Sequence, residues 1–332
     1  MILIVNTGSS SVKYKLFDDS LEEVKSGKFD FSGNQISGAI DKVVAEIGNH
    51  KNEINKIGYR IVHGGDEVDE ILPVTLPTMK IIEEFAPLAP HHNPPAIAVI
   101  KTLIEKLPLT QHFVAFDTAF FKDLPVVAKT YPIDQAIAQE YGIRRFGFHG
   151  ISHGAMLDEV DPDHEKKLIT IHLGAGSSIC AINCGVPIDT SMGFTPIEGL
   201  PMQKRSGDID PEIVLFLSEK IGEKKTRDLI ENHSGLAGIS GKSGDMLELL
   251  ESDDEMSKLA IDVLCYRTKK YIGAYAAALG GVDMVVFSGE IGFGSSLIRK
   301  KITAGLEYLG FETKAIKPNE ELAIAKKLIP KV

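Results

Sequence analysis

Five short segments of this chain carry guanidinium, imidazole or carboxylate groups, in four of them beside glycine or proline. They are Gly58–Gly65 (GYRIVHGG), Ala89–Pro94 (APHHNP), Phe116–Phe120 (FDTAF), Arg144–Gly150 (RRFGFHG) and Lys204–Asp210 (KRSGDID). Arginine grips carboxylate or phosphoryl oxygens through parallel N–H donors. Glycine turns let backbone N–H groups approach phosphates, and a carboxylate can hold Mg2+ that keeps several waters. Phosphoryl transfer needs these parts, because positioning and charge neutralisation supply most of its catalysis. Singly, each residue has an ordinary explanation. A lone arginine is by default a surface ion pair. Asp117 at a strand end can cap a turn, and His63, His153 and His172 can be structural hydrogen bonders. Asp208 and Asp210 read as a loop brace and a helix cap, and Arg144 and Arg145 as braces of the loop carrying His149. Only the ordered set of Arg60, His92, Asp117, His149 and Arg205 rises above those readings.

These groups must be placed by strands and helices. Ile2–Asn6 is an apolar run, Thr7–Ser10 a small-residue turn, and Ser11–Phe17 alternates, which predicts a β-hairpin. Leu168–Asn183 repeats the pattern half a chain later, predicting two similar α/β domains from an internal duplication. Lys56–His63 and Phe113–Asp117 read as buried strands, Pro95–Leu107 and Asp134–Tyr141 as helices. Asp210-Pro211-Glu212 opens a further helix with cap, first-turn proline and dipole partner. Asp283–Ser288 is a strand running into a glycine turn at 289–294, with Ser295–Leu309 expected as one helix; strand, turn and helix N-terminus together suit a phosphate or nucleotide. A last helix starts at Pro318–Glu321 with Asn319 as cap.

The chain has 332 residues, 43% of them apolar, enough for about two domains. Its 36 Lys+Arg against 46 Asp+Glu give a net charge of −10, which argues against a nucleic-acid partner. Cys180, Cys184 and Cys265 are too few for a disulfide framework; Cys180 and Cys184 are expected as buried small residues of a strand. The N-terminus lacks the basic and apolar regions of a signal peptide, and no run reaches the roughly 18 apolar residues of a membrane span. A cytoplasmic protein with no membrane partner is expected.

The motifs NTGSSSVKYKLF (6–17), RIVHGG (60–65), LAPHHNPPA (88–96), AFDTAFF (115–121), RRFGFHGISH (144–153), HLGAGSS (172–178), DTSMGFTPIEGLPMQKRSGDIDP (189–211) and NEELAIA (319–325) come in an order that resembles the acetate/propionate/butyrate kinase family over nearly the whole chain. The resemblance implies an α/β fold of two duplicated domains of the acetate and sugar kinase/Hsp70/actin (ribonuclease H-like) type with an interdomain active-site cleft. The expected domains are 1–148 plus 319–332 for acyl group and phosphate, and 149–318 for nucleotide. The implied reaction is reversible Mg2+-dependent transfer of the ATP γ-phosphoryl group to acetate, with Mn2+ as an alternative metal and a homodimer as the assembly. By the same resemblance Asp117, His149 and Arg205 are catalytic, and Arg60 and His92 bind substrate beside an apolar lining of Val62, Phe148 and Pro196. Asn6 and Glu320 are the metal residues, with neighbouring Glu321 as the alternative ligand. Lys13, Ser9 and Ser11 form a first phosphate hairpin and His172, Leu173, Gly174, Ala175 and Gly176 a second. Asp245, Met246 and Leu247, with Glu290, Ile291, Gly292, Phe293 and Gly294, cradle the nucleoside. Because acetate is already an anion, Asp117 is assigned to orienting Arg60 and the metal shell, with proton transfer as its alternative role.

The chain departs from the family mainly on the nucleoside side. Ala175 replaces an asparagine, Leu247 an arginine and Glu290 a glycine, and Gln203-Lys204 stands for Gly-Thr beside Arg205. Another donor, GTP or pyrophosphate, is therefore an alternative to ATP. Propionate is an alternative acceptor, and a nucleotide-binding regulatory protein with a decayed kinase site is the alternative of another class. His91, where the family has leucine, favours a short acid weakly, since one methylene is worth only about 1–3 kcal/mol.

Overall fold

The computed structural model describes residues 1–8, 10–31, 35–65 and 67–329. They form two compact units, Met1–Lys122 with Phe148–Ala155 and Asn319–Val332, and Asp123–Gly147 with Met156–Pro318.

In the first unit, strands β1 (Ile2–Thr7), β2 (Ser11–Phe17), β3 (Glu23–Asp30), β4 (Lys56–Ile61), β5 (Ile71–Pro73) and β6 (Gln111–Phe116) form one sheet in the order β3-β2-β1-β4-β6-β5. The first three strands are an antiparallel meander, while β4 runs parallel to β1 and β6 parallel to β4. β1 is apolar at every position from Ile2 to Val5 because both of its faces are covered. Side chains alternate across the sheet. Leu3 and Val5 join Ile40, Val43, Val99 and Leu103 of the helices Ile36–Ile47 and Asn93–Lys106. Ile2 and Ile4 face the other way, onto Ile324, Ala325 and Leu328 of the C-terminal helix Glu320–Leu328. The same alternation puts Asn6, two residues beyond Ile4, on the face that this helix covers. In the β1–β4 register Asn6 pairs with Arg60. Asp117 immediately follows β6 and donates its backbone N–H to the Ile61 carbonyl at 2.9 Å. Three parallel strands thus end at one edge, where ligands of α/β sheets bind.

In the second unit β7 (Lys167–Leu173), β8 (Ser177–Asn183), β9 (Val186–Thr190), β10 (Met284–Ser288) and β11 (Glu312–Ala315) have the order β11-β10-β7-β8-β9. This reproduces β6-β4-β1-β2-β3, with the same antiparallel meander and two parallel additions. The duplication expected from the two hairpins is present in strand order and direction, with the second hairpin tip one residue shorter than the first. Asn6 pairs with Lys13 and Arg60, and its counterpart His172 pairs with Ser178 and Ser288. The helix Glu255–Leu279 packs its buried face on this sheet, capped by Asp254 and ended by left-handed Gly280.

Three expectations are corrected. Ser295–Leu309 is not one helix: an α-helix covers Ser296–Thr303 and a separate 3-10 turn Glu307–Leu309, because left-handed Gly305 interrupts it. Cys180 is buried in β8, but Cys184 lies beyond that strand, exposed and with a φ of 48°. The boundary expected at 148/149 also falls differently. Residues 123–147 belong with the second unit because Arg145 and Phe146 hydrogen-bond to the 190–198 segment. Residues 148–155 belong with the first, where Gly150 donates to the Asp117 carbonyl and Ile151 is buried beside Ile324.

Candidate active site

The first unit gathers Asn6, Arg60, Asp117, Glu320 and Glu321. Arg60 donates from Nε (3.0 Å) and Nη2 (2.6 Å) to Asp117 Oδ2, and from Nη1 (3.3 Å) to Asn6 Oδ1. Glu320 lies 3.6 Å from Arg60 Nε, and Asn6 Nδ2 donates to Glu321 Oε1 at 3.2 Å. A guanidinium has five N–H donors. Three are used here, leaving one N–H on each terminal nitrogen. Burial opposes the Arg60 charge, but Asp117, Glu320 and Glu321 together outweigh it, and the guanidinium is held firmly protonated. Asp117 is only 1% exposed. Its burial, reinforced by Glu320, pushes the carboxyl above its usual range, and Arg60 offsets part of that push.

Asp117 is also fixed from behind. Its Oδ1 accepts from Ile151 N (3.4 Å), and its carbonyl from Gly150 N (3.1 Å). His149, between Phe148 and that contact, adopts a φ of 58°, a region uncommon outside glycine. A Cβ on Gly150 would collide with the Asp117 carbonyl oxygen and the Phe120 Cβ. Gly150→Ala is therefore expected to cost about 1–3 kcal/mol and to displace both Asp117 and His149, read as a lower urea midpoint together with lost turnover.

Val62 and Phe148 are buried. Phe148 stands edge-on to the His63 ring at 5.2 Å, and His63 stacks on Phe85 at 4.7 Å. Asn93, fully buried, holds the His63 backbone through its amide (2.8 Å to the carbonyl oxygen and 3.3 Å from the N–H). His92 is half-buried at the start of the helix Asn93–Lys106 and does not cap it, while His91 is exposed. Lys13 is exposed on β2 opposite Asn6, and Ser11 is half-buried where its carbonyl accepts from Gly8 N at 2.8 Å. Ser9 lies outside the described residues.

In the second unit the tip 173–177 joins β7 to β8, with Gly174 N donating to Gly176 O at 3.0 Å. The Ala175 carbonyl accepts from Gln203 N at 3.2 Å, and Gly244 packs directly on the Gln203 carbonyl. Hairpin tip, Gln203 loop and the 244–245 turn are therefore adjacent. The segment Glu290–Gly294, read from sequence as a glycine turn, is the body of a short helix, Gly289–Gly294. Gly289 enters it at a φ of 82°, with its backbone against the Leu173 carbonyl. Asp245 caps the helix Met246–Glu251 through the Leu247 and Glu248 N–H groups, Met246 is buried, and Leu247 is exposed. Glu290 and Phe293 are exposed, Ile291 and Gly292 buried. Arg205 Nη1 donates to the Pro196 carbonyl at 3.1 Å, so these two predicted residues meet.

Arg145 does not brace the His149 loop. It donates to Thr190 O (3.1 Å), Ser191 O (3.2 Å), Ala128 O (3.3 Å) and Glu198 Oε1 (2.6 Å), so it braces the run from β9 toward Arg205. Glu198 also accepts from the Tyr131 hydroxyl, which in turn accepts from Phe194 N at 2.9 Å. Asp208, as expected, braces its loop, accepting from Gly199 N (2.8 Å) and the Tyr271 hydroxyl (2.7 Å), and Asp210 caps the helix Pro211–Ile221. Sequence reasoning missed Tyr131, Glu198 and Tyr271, because nothing local marks a tyrosine or glutamate as the partner of a distant side chain.

A model of the Acetokinase family matches residues 27–329. The chain is 38% identical to the acetate kinase of Desulforamulus reducens, over 98% of this chain and 93% of that one. It is 40% identical to the acetate kinase of Carboxydothermus hydrogenoformans, over 93% of this chain and 87% of that one. The crystal structure of Porphyromonas gingivalis acetate kinase superposes with a TM-score of 0.89 at 31% identity, covering 98% of both chains. That of a propionate kinase from Francisella tularensis gives 0.90 at 30% identity, covering 99% of both.

Proposed function

The chain belongs to the acetokinase family, phosphotransferases with a carboxyl group as acceptor, and from that premise we propose how its residues share the work. Arg60 receives the oxygens of acetate and of the transferring phosphoryl group. The observation that supports this is its bonding: Asp117 and Asn6 consume three N–H donors and leave one on each terminal nitrogen. Both bonds to Asp117 end on one carboxylate oxygen, which suits orienting the guanidinium; acetate, already anionic, needs no base. His149 and Arg205 add positive charge for the phosphoryl group in flight, where repulsion between anions is the main barrier. Val62, Phe148, Pro196 and His92 contact the acyl side. Lys13, Ser9 and Ser11, with His172–Gly176, Asp245–Leu247 and Glu290–Gly294, take the nucleotide.

Mg2+ binds with one or two carboxylates plus waters and substrate phosphate oxygens. Among the described residues no group of three or more His, Cys, Asp or Glu side chains could hold a metal ion by itself. The Asn6 amide oxygen and the Glu320 carboxylate, both beside Arg60 at 3.3 and 3.6 Å, are hard oxygen donors that fit a substrate-borne Mg2+. Bound there, the ion would neutralise charge on the polyphosphate. A homodimer is proposed as well, supported by the apolar side chains of Ile213, Leu215 and Phe216, 45–59% exposed on the helix Pro211–Ile221. Among the described residues no helix is long and apolar enough to cross a membrane.

Trapping acetyl phosphate as its hydroxamate tests the reading. Acetate with ATP and Mg2+ is expected to give product, and propionate less. GTP or pyrophosphate outperforming ATP would reassign the donor to match Ala175, Leu247 and Glu290. No acyl phosphate from any donor would overturn the proposal.

A further inference from the structure

We propose that Glu321 is a positioning residue for this transfer, holding the Asn6 amide in the one orientation that turns its oxygen toward Arg60. The inference rests on the carboxyl-acceptor reading above. Asn6 sits between opposite charges: Arg60 Nη1 donates to its Oδ1 at 3.3 Å, and its Nδ2 donates to Glu321 Oε1 at 3.2 Å. A guanidinium can only donate and an ionised carboxylate can only accept. Half a turn of the amide would set NH2 against guanidinium and oxygen against carboxylate. Both neighbours therefore demand the same orientation, each independently of the other.

It is Glu321 that accepts from Asn6 Nδ2, while the Glu320 carboxylate lies 3.6 Å from Arg60 Nε. Beyond its place in the first turn, Glu321 is not needed to seat its own helix. That helix is anchored by Lys15 Nζ on Asn319 Oδ1 (3.0 Å), by the Asn319 cap on Leu322 N (3.3 Å) and by Lys56 Nζ on the Leu328 carbonyl (2.6 Å). Ile324, Ala325 and Leu328 are buried beneath it. Without Glu321 a single bond from Arg60 is left to orient Asn6. The amide can then turn, and Arg60 Nη1 loses the acceptor that aims its remaining N–H.

A double-mutant cycle tests this on the full chain: Asn6→Ala, Glu321→Ala, both together, and Glu321→Gln, each measured for kcat/KM with acetate and for thermal midpoint. E321A is expected to lower kcat/KM about tenfold, the low end for an outer-shell partner. In the N6A background the same change should cost nothing further, and E321Q, whose amide oxygen still accepts from Asn6, should recover most of the loss. The midpoints should stay together, since the helix has its own anchors. Losses that multiply in the double variant, or an E321Q as impaired as E321A, overturn the proposal while an active wild type keeps the reaction reading. An inactive wild type brings both down.

Discussion

Replacing Arg60 with alanine is expected to lower transfer severely and also to change how stability depends on pH. Loss of one preorganised donor to developing charge typically costs 10²–10³ in kcat, and Arg60 offers two N–H groups and a full charge, so about a thousandfold loss is expected for R60A. Arg60→Lys keeps the charge but not the fork that spans Asp117 and Asn6; about a hundredfold loss is expected, because a compact ammonium cannot make both contacts. The second effect follows from Asp117. Its carboxyl is buried beside Glu320, and Arg60 supplies the compensating charge. Without Arg60 the folded-state pKa of Asp117 rises further above its unfolded value. A group raised on folding stabilises below its unfolded pKa and loses that contribution as pH climbs through the folded one. R60A should therefore lose thermal midpoint relative to wild type as pH is raised above the ordinary carboxylate range, since burial holds the carboxyl up. Adding Asp117→Asn should remove that pH dependence without restoring turnover. A midpoint gap between R60A and wild type that stays flat with pH would contradict the account of Asp117.

The sequence made these groups visible for a physical reason. β1, β4 and β6 are parallel and covered on both sides, so they read as apolar runs that stop at the polar residues of one sheet edge. Asn6, Arg60 and Asp117 are those residues. The duplication was visible in two small-residue hairpins, since each tip joins the first two antiparallel strands of the repeated meander. Asn319 and Asp210 were readable as caps because a cap acts within three residues. What escaped was long-range. Arg145 is four residues from His149 in sequence, and nearness suggested that it braces that loop. Its four acceptors instead lie at residues 128, 190, 191 and 198. The helix Gly289–Gly294 escaped for a different reason: glycines weaken helix propensity by roughly 1 kcal/mol each, yet packing against Leu173 and Phe287 overrides it. Asp245, implied as a nucleoside contact, spends its carboxylate on capping a helix, which leaves backbone and neighbouring side chains to meet a ligand there.

Arg145→Leu is expected to unravel the support of Arg205 from a distance. The Arg145–Glu198 contact is 2.6 Å, with the arginine side chain 16% and the glutamate 32% exposed. Burial works against the Arg145 charge, and Glu198, Tyr131 and Tyr275 together more than restore it. Removing one partner of such a pair strands the other, at about 3–5 kcal/mol when fully buried, so about 3 kcal/mol is the expectation here after discounting for solvent at Glu198. The damage should be directional. Glu198 lies between Pro196, whose carbonyl holds Arg205 Nη1, and Gly199, whose N–H is held by Asp208. A stranded Glu198 that moves toward water pulls on both, and Tyr131 loses its acceptor as well. R145L should thus lower kcat at least as strongly as it lowers stability, whereas Tyr271→Phe, which removes one bond to Asp208, should cost about 1 kcal/mol and little turnover. The double variant Arg145→Leu with Glu198→Leu separates the two effects. Two apolar groups in place of a pair should recover most of the urea midpoint, but not the placement of the segment, because the bonds to Thr190, Ser191 and Ala128 remain lost. Stability regained with kcat still depressed is the expected outcome. Recovery of both together would mean that the pair only holds the fold and has no part in aiming Arg205.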